Sequence, residues 1–535
     1  MIRLKKPLSF LLAAVLIVGA GCGKAGGPDA PASTATPSYS STAFPEAKSL
    51  YNVGSLPIVN EPVTLKVLTQ NDTGRPFSSA GDAGLWKWLE EKTGITLAIE
   101  SYSAEEVKTK IPLIMASNDL PDLFFRCDIT DADMMNYGKN GQVLIMNNYI
   151  ENLGTNIKAC FEALDYAYGA SVSPDGNIYS LPSFNGSKAM VTYSINDTWL
   201  KNLNLDTPTT MEELYTVLKA SLENDANKNG KKDELGIGGE PKSFKRMILS
   251  WVGLNCYWPW EGALFDAAGD KMFFVETTDQ YKYLLSEMAK FYEEGLIDPE
   301  LFTQTTDETK AKRLSNAYGL FSGVPAVDES PDYRFESFTP ITSKVSSEPL
   351  IISGAPYQTN IGAVAATTKY PEVAMLLIDY LFSEEASRIA FWGIEGVDYT
   401  VDTSFKDAWV ITAVNKDYGN ADRYLTAMLV PRWNRDKWVQ PPTTEGGRLT
   451  AERQQPYAKI AFQNYLKFTD EESEKIATIA TDLGSYLDQM YIGFITGEYD
   501  VESYWDTYVA QVKAMKADEL TDVYQTAYNR YYGLD

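Results

Sequence analysis

Between residues 63 and 125 the chain alternates short apolar strands with amphipathic helices, and this alternation restricts its fold more than any other feature. Val63, Leu65 and Val67 alternate with polar residues, which predicts a strand. A second alternating run and a third apolar strand follow before residue 125, with an amphipathic helix in each interval. The order strand, helix, strand, helix, strand is typical of a parallel sheet with helices on both faces. We therefore predict an α/β fold.

Polar side chains follow two of these predicted strands. Asn71 and Asp72 come directly after the first strand, and Arg126 and Asp128 follow the third. Open α/β sheets bind their ligands at the carboxyl ends of the strands. We therefore predict that these four side chains contact a ligand.

The chain is too long for one hydrophobic core, because at 535 residues it exceeds the size at which single cores stop growing. No internal repeat is evident. A strand pattern near Tyr193 marks a change of lobe, and the later part of the chain is largely helical. We predict that residues 59–170 and 350–404 form one lobe and that residues 171–349 and 405–535 form the other.

The first 58 residues read as a targeting segment and a tether. Three cations precede an apolar run over residues 8–18, which is too short to span a bilayer and is typical of a signal peptide. The following Gly19-Ala20-Gly21-Cys22 resembles a bacterial lipobox. We predict a leader at 1–21, lipid modification of Cys22, and a flexible Gly/Pro/Ser-rich tether over 22–58. The alternative is an ordinary secretory cleavage site with an incidental cysteine.

Charge and composition exclude several functions. The net charge of −25 disfavours nucleic acid and anionic lipid surfaces as partners. The chain contains no histidine, which excludes Ser-His-Asp and Cys-His catalysis and histidine-ligated zinc. Besides Cys22, three cysteines remain, and an odd number argues against a disulfide framework.

The stretch from Asp225 to Glu234 predicts a calcium site. Oxygen-bearing side chains recur at alternate positions, a glycine then permits a sharp turn, and two carboxylates follow. This matches the first half of an EF-hand loop, whereas the usual closing Glu is absent. The expected ligands are Asp225, Asn227, Asn229, the Lys231 carbonyl, Asp233 and Glu234. The alternative is a polar turn without a metal.

Several stretches together resemble the carbohydrate-specific extracellular solute-binding proteins of bacterial ABC importers, and most closely the large lipoprotein branch of Gram-positive oligosaccharide importers. The matching stretches are residues 88–95, 120–122, 176–182, 195–200, 208–214, 295–299, 381–385 and 393–400. The resemblance implies a two-lobe periplasmic-binding-protein-like fold of type II, with the ligand cleft between the lobes. It also implies a calcium loop that stabilises one lobe away from the ligand.

The same resemblance implies partners and a location. We expect an oligosaccharide ligand, the permease subunits of an ABC importer, and a monomer held at the extracellular face of a Gram-positive cell membrane by its lipid anchor alone.

Aromatic side chains in predicted loops or at the ends of predicted elements are candidates for sugar contacts, because the apolar face of a pyranose packs flat on an aromatic ring. With neighbouring polar groups, the expected set is Trp251, Trp258, Trp392, Glu395, Tyr399, Arg432 and Trp433. For any single tryptophan, a place in the core is the alternative, and for the arginine a solvated surface cluster.

Two functions compete on the sequence alone. The first is a transport receptor without chemistry, which closes on a sugar by a hinge motion. The second is a secreted carbohydrate-active enzyme with paired carboxylates, which needs no histidine. The lipobox, the tether and the two-lobe pattern favour the receptor, so we do not expect an enzyme.

Overall fold

The computed structural model describes most of the chain beyond the tether. The described residues are 50–71, 84–164, 166–184, 192–256, 263–323, 333–354, 356–393, 395–396, 399–402, 409–413, 430–435, 438–439, 445–461 and 466–534, with the backbone alone at 71, 392, 399, 401–402, 409–413, 438–439 and 445–447. The predicted leader, Cys22 and nearly all of the tether lie outside them.

Seventeen strands are found in this part of the chain. They are β1 Val63–Asn71, β2 Ile95–Ser103, β3 Leu123–Phe125, β4 Ser180–Phe184, β5 Tyr193–Asn196, β6 Leu235–Gly239, β7 Phe265–Ala268, β8 Lys271–Phe274, β9 Tyr318–Ser322, β10 Phe335–Ser337, β11 Ile351–Ser353, β12 Tyr357–Val364, β13 Tyr399–Asp402, β14 Trp409–Ala413, β15 Arg432–Trp433, β16 Trp438–Val439 and β17 Ala458–Ile460.

The same residues contain seventeen α-helices and two short 3₁₀ helices. The α-helices are α1 Gly84–Thr93, α2 Ala104–Ser117, α3 Asp131–Lys139, α4 Asn147–Leu153, α5 Thr155–Ala163, α6 Ala167–Ser171, α7 Asp197–Leu203, α8 Met211–Glu223, α9 Pro241–Trp251, α10 Asp279–Glu293, α11 Thr306–Leu314, α12 Pro371–Leu381, α13 Glu384–Trp392, α14 Glu445–Arg453, α15 Asp470–Thr496, α16 Val501–Ala514 and α17 Ala517–Tyr532. Among these residues no helix is both long and apolar enough to cross a membrane.

The predicted strand–helix alternation forms one half of a six-stranded sheet with the order β15-β4-β12-β3-β1-β2. Val63, Leu65 and Val67 are buried, as their alternation predicts. β1 pairs in parallel with both β2 and β3, and β4 and β15 also pair in parallel. Only β12 runs against its neighbours in this sheet. The α/β prediction is therefore confirmed.

A capping box fixes the start of α2 behind β2. The Ser103 hydroxyl accepts from the Glu106 backbone N–H, and the Glu106 carboxylate accepts from the Ser103 N–H at 2.9 Å. This satisfies two N–H groups that a helix start otherwise leaves without partners. The side chains that follow, Val107 and Ile111, are buried against the sheet.

A second sheet of four strands has the order β10-β5-β9-β6. Its strands pack into a hydrophobic core with α8, α9 and α10 and with the C-terminal helices α15 to α17. The six-stranded sheet has a separate core, which includes α1 to α5 and α12. We call the part of the chain around the six-stranded sheet the first lobe and the part around the four-stranded sheet the second lobe.

The chain passes between the lobes where β4 leads to β5, where β11 leads to β12, and again beyond β15. Ser180–Phe184, which we expected in the second lobe, pairs with the six-stranded sheet. Ile351 and Ile352, which we expected in the first lobe, are buried in the second core. Arg432–Trp433, which we also expected in the second lobe, pair with β4 of the six-stranded sheet. The exact division into lobes stays a prediction.

Candidate functional site

The carboxyl ends of five strands meet at one edge of the six-stranded sheet. β1, β2, β3, β4 and β15 all point the same way, and β12 begins at this edge because it is antiparallel. Thr69 lies opposite Phe125 in the β1–β3 pair, so the residues after them are neighbours. The fold therefore brings together the chain positions of Asn71, Arg126 and Asp128, which are distant in sequence. This edge is where open α/β sheets bind ligands.

Residues 126–130, which we call the β3 loop, have an unusual backbone. Arg126 has φ +45° and Asp128 has φ +49°, both in the left-handed region that non-glycine residues rarely adopt. The Arg126 N–H donates to the Ile361 carbonyl of β12 at 2.8 Å. Such strain persists only where the surroundings hold it, and it concentrates at functional sites. Arg126 is half-buried, and the Asp128 side chain is exposed.

Several polar atoms near this edge are buried without a hydrogen-bond partner. Within the described residues they include the Thr69 hydroxyl and Gln70 Oε1 on β1 and the Ser183 hydroxyl on β4. A buried polar atom without a partner costs about 1–3 kcal/mol, so a buried water would stabilise each of these atoms. Sequence reasoning missed all three, because their burial follows from pairing between distant strands.

The predicted arginine Arg432 lies at the same edge, opposite Ser183 in the β4–β15 pair. Its side chain is fully buried, and its Nε donates to Asn434 Oδ1 at 3.3 Å. Its guanidinium is 5.2 Å from the Phe391 ring centroid. Burial, together with the positive charge of Arg126, lowers the pKa of Arg432 to about 9. The positive charge of Arg126 therefore acts on Arg432 at the sheet edge.

Trp433 follows Arg432 and is half-buried. The guanidinium of Arg435 lies 3.6 Å from its ring centroid, which is a cation–π contact. Arg435 also donates to the Phe382 carbonyl at 3.0 Å, and burial lowers its pKa to about 10. The stacked guanidinium holds the indole in place beside the sheet edge.

Trp251, which we expected in a loop or at the end of an element and in contact with a sugar, is not available to a ligand in this structure. It is the last residue of α9, and its side chain is fully buried in the second core. Its ring meets Tyr193 edge-on, with centroids 6.4 Å apart. The reason is the buried face of α9, which includes its last residue and turns the indole inward.

The remaining predicted contacts lie partly outside the described residues. Glu395 is exposed and forms an ion pair with Arg388 at 3.5 Å. Asp72 and Trp258 lie outside the described residues, as do the side chains of Asn71, Trp392 and Tyr399. Trp392 ends α13, and Tyr399 begins β13.

The predicted calcium loop lies in the second lobe, between α8 and β6. The two carboxylate oxygens of Asp225 accept from the N–H groups of Asn229 and Gly230 at 3.0 and 2.9 Å. Asn227 Oδ1 accepts from the Asn229 N–H at 3.0 Å. Gly230 has φ +76°, which a side chain would strain. The loop therefore folds back on its own side-chain oxygens.

The two closing carboxylates face the same loop. Asp233 accepts from the side-chain amides of Asn227 and Asn229, each at 2.9 Å, and these bonds hold its pKa below the usual range. Glu234 is buried; its Oε1 lies 3.4 Å from the Asn227 N–H, and its Oε2 has no hydrogen-bond partner among the described residues. The Lys231 N–H donates to Asn229 Oδ1 at 2.8 Å.

The donor set of this loop suits a hard cation that accepts amide and carbonyl oxygens. In the described part of the chain no three carboxylates or thiols converge as a metal site. A cation here therefore depends on Asn227, Asn229 and a backbone carbonyl as well as on carboxylates. Ca²⁺ accepts such mixed oxygen ligands, and the unpartnered Glu234 oxygen is an observation that fits it.

Comparison with known proteins identifies the class of this fold. A family model described as bacterial extracellular solute-binding protein matches residues 70–388, which is more than half of the chain. The fructooligosaccharide ABC transporter substrate-binding protein FusA of Streptococcus pneumoniae is 24% identical over 507 residues, covering 88% of this chain and 91% of that protein.

Solved structures show the same two-lobe fold. An extracellular solute-binding protein from Bifidobacterium longum subsp. infantis has a TM-score of 0.74 at 19% identity, over 88% of this chain and 98% of that chain. An EF-hand mutant of S. pneumoniae FusA in complex with fructo-nystose has a TM-score of 0.68 at 21% identity, over 88% of this chain and 100% of that chain.

Proposed function

Because the chain belongs to the family of bacterial extracellular solute-binding proteins, we propose that it captures an oligosaccharide outside the cell and delivers it to the permease of an ABC importer. A chain of this family is a binding protein and not an enzyme, so the alternative of a carbohydrate-active enzyme is dropped. The observation that carries the proposal is the sheet edge, where parallel strand ends, a strained polar loop and a half-buried tryptophan occur together.

A sugar is the ligand class that this edge suits. The exposed carboxylate of Asp128 accepts hydroxyl protons, Arg126 donates to hydroxyl oxygens, and the indole of Trp433 offers a flat apolar surface. FusA, whose name states that it binds fructooligosaccharides, supports the same class. We propose Asn71, Asp72, Arg126, Asp128, Arg432 and Trp433 as contacts from the first lobe. Because the side chain of Arg432 is buried in this structure, it lies below the surface of this edge.

Trp258, Trp392, Glu395 and Tyr399 stay proposed contacts on the strength of the sequence alone. Trp251 leaves the proposed set, because a side chain without exposed surface cannot stack on a sugar. The ligand cleft would then be lined by the β3 loop and β15 on the side of the first lobe.

We also propose that the loop from Asp225 to Glu234 holds Ca²⁺ when the ion is present. Asp225, Asn227, Asn229, the Lys231 carbonyl, Asp233 and Glu234 would supply the oxygens. The FusA protein solved with fructo-nystose is an EF-hand mutant, which indicates that a related protein has a loop of this type. The ion would neutralise the three carboxylates and stabilise the second lobe.

The N-terminal residues complete the proposal. The lipobox-like run before Cys22 supports a lipid anchor on the extracellular face of the membrane of a Gram-positive bacterium. The Gly/Pro/Ser-rich stretch over residues 23–45 would hold the binding lobes about 25–30 Å from that surface. We propose that the anchored protein acts as a monomer, with the permease as its protein partner.

Calorimetric titration of the purified protein with a panel of oligosaccharides, beginning with fructooligosaccharides, tests the proposal. We expect at least one glycan to bind without being cleaved. Asp128→Ala should weaken that binding about tenfold or more, because a hydrogen bond to a charged group is lost. Trp433→Ala and Trp392→Ala should each cost about 1–3 kcal/mol of binding free energy.

The matched control is Asp119→Ala. Asp119 is also an exposed acid beside β3, but it precedes that strand and so lies at the opposite edge of the sheet. It should leave the affinity unchanged. The proposal fails if no glycan of the panel binds, or if incubation with the protein alters the glycans.

A further inference from the structure

Helix α3 begins where the β3 loop ends and reaches towards the second lobe. Met134 and Met135 on this helix are buried in the first core, so the helix belongs to the first lobe. In the second lobe, residues 467–470 lead into the long helix α15, whose buried face lies in the second core. α3 and this segment therefore belong to different lobes.

Two ion pairs of opposite polarity join α3 to residues 467–470. At the first residue of α3, Asp131 Oδ1 lies 3.9 Å from Lys467 Nζ. At its last residue, Lys139 Nζ lies 2.8 Å from Asp470 Oδ2. A nine-residue helix is about 13 Å long, so the two pairs hold α3 at both ends. A shift of the segment past the helix in either direction would separate both pairs.

The two pairs differ in their exposure to water. In the first pair the Lys467 and Asp131 side chains are 11% and 44% exposed, and in the second pair Lys139 and Asp470 are 42% and 59% exposed. Salt therefore screens the second pair more strongly than the first. Burial lowers the pKa of Lys467, and the charge of Asp131 opposes that shift. Loss of Asp131 would leave a cation in a poorly hydrated place.

Asp131 is also tied to the β3 loop. The side-chain amide of Asn360 on β12 donates to Asp131 Oδ1 at 2.9 Å and to the Ile129 carbonyl of the loop at 3.0 Å. The Asn360 oxygen accepts from the Ser180 hydroxyl of β4. One buried amide thus fixes the loop and the acidic end of α3 together.

We propose that α3 couples the β3 loop to the position of the second lobe through the pairs Asp131–Lys467 and Lys139–Asp470. Displacement of the lobes relative to each other then shifts the loop that carries Arg126 and Asp128, and a ligand held by the loop shifts the lobes. These four charged residues are positioning residues. The ligand part of this inference rests on the proposed function, whereas the coupling of loop and lobe does not.

Charge exchange at the pair Lys139–Asp470 provides the test, because neither of these side chains is buried. Lys139→Asp and Asp470→Lys each place like charges together, and the double variant restores an attractive pair with reversed polarity. In the full-length protein we expect each single variant to weaken oligosaccharide binding about fivefold and the double variant to recover most of it, which is the scale of an ordinary coupling between sites.

The matched control is the pair Lys282–Glu502, whose atoms are 2.7 Å apart and which lies wholly within the second lobe. Lys282→Asp, Glu502→Lys and their combination should leave the affinity unchanged. Lys467→Met should also weaken oligosaccharide binding. It should lower the salt dependence of the affinity by less than the variants at the more exposed pair do.

Two further measurements need no ligand. Small-angle scattering reports the separation of the lobes, and amide hydrogen exchange reports the order of residues 126–130. We expect both quantities to change in the single variants and to return to the wild-type values in the double variant, even if no glycan binds the wild type. An absence of glycan binding would refute the proposed ligand class but leave the coupling of loop and lobe intact. Single variants that match the wild type in scattering and in loop exchange would overturn the inference.

Discussion

Asn360 donates its side-chain amide to the carboxylate of Asp131 at 2.9 Å, and so connects a strand of the six-stranded sheet to the first residue of a helix. Asn360 itself has φ +54°, and β12 changes register between Gln358 and Gly362. Asparagine tolerates the left-handed conformation better than most residues. The irregularity of the strand is therefore what aims the amide at the β3 loop.

Asn360→Ala should lower the stability of the protein by about 2–4 kcal/mol. The substitution leaves the Ile129 carbonyl without its donor, which costs about 1–3 kcal/mol, and it places alanine at a positive φ, which costs about 1 kcal/mol more. Denaturant unfolding would measure the change, and ligand affinity should fall with it.

Asn360→Gly is the companion variant, since it removes the same hydrogen bonds without the strain at positive φ. We expect its stability to lie between those of the alanine variant and the wild type, with the same loss of affinity. Equal affinity in all three proteins would show that the amide does not position the β3 loop for binding.

Much of the fold was predictable because its signals are local. The alternation of Val63, Leu65 and Val67, the capping box at Ser103 and the spacing of the acidic loop from Asp225 all act within a few residues. The ends of the predicted strands could also be assigned to one edge of the sheet, because the carboxyl ends of parallel strands lie at the same edge.

The features that were missed depend on contacts between distant parts of the chain. The pairing of Arg432 with Ser183 and the burial of Thr69 follow from the order of strands in the sheet, which no local pattern encodes. The burial of Trp251 follows from the packing of α9 into the second core, which the sequence around that residue does not show. The left-handed backbone of Arg126 has no signature in the sequence, because arginine is not among the residues enriched in that region, whereas aspartate at position 128 is.

Glu276 should make the stability of the second lobe depend on pH. It is fully buried, it accepts from the Leu264 N–H at 3.0 Å, and its other oxygen has no hydrogen-bond partner among the described residues. Burial raises its pKa from 4.5 to about 8, with Lys245 opposing the shift and Asp488 adding to it. Between these two values the folded protein holds a proton that the unfolded chain releases.

Stability should therefore fall as the pH rises from about 4.5 to about 8 and then level off. Glu276→Gln is neutral throughout and keeps an oxygen for the Leu264 N–H, so its melting temperature at pH 8 should exceed that of the wild type by about 2–4 °C or more. The exposed Glu293→Gln serves as control. If the two variants show parallel melting curves across this range, Glu276 is not protonated in the folded state.

Cys22→Ala should release the protein from the membrane or leave its leader uncleaved. The reason is chemical, since the acyl chains of a lipoprotein are attached through the cysteine sulfur and a methyl group cannot carry them. Partition between detergent and aqueous phases measures the change, and Ser40→Ala in the tether is the control. Recovery of the Cys22→Ala protein in the detergent phase at the level of the wild type, with its leader removed, would contradict the lipid anchor.

Removal of calcium should lower the melting temperature while leaving the sugar affinity, measured well below that temperature, almost unchanged. Asp225, Asp233 and Glu234 bring three carboxylates into one short loop, and their repulsion is relieved by a cation. An ion that binds only the folded state stabilises it by about 2.7 kcal/mol at a hundredfold excess over its dissociation constant. The affinity should persist because the loop lies in the second lobe between α8 and β6, whereas the proposed first-lobe contacts lie at the edge of the other sheet.

The comparison is made on protein stripped of metal and then supplied with Ca²⁺, Mg²⁺ or chelator. Mg²⁺ should substitute poorly, because it prefers a compact octahedron with several retained waters. Asp225→Ala should abolish the response to Ca²⁺, whereas Asp206→Ala, an exposed acid outside the loop, should retain it. Identical melting curves of the wild type with calcium and with chelator would leave the loop as a polar turn, held together by the bonds of Asp225 to Asn229 and Gly230 alone.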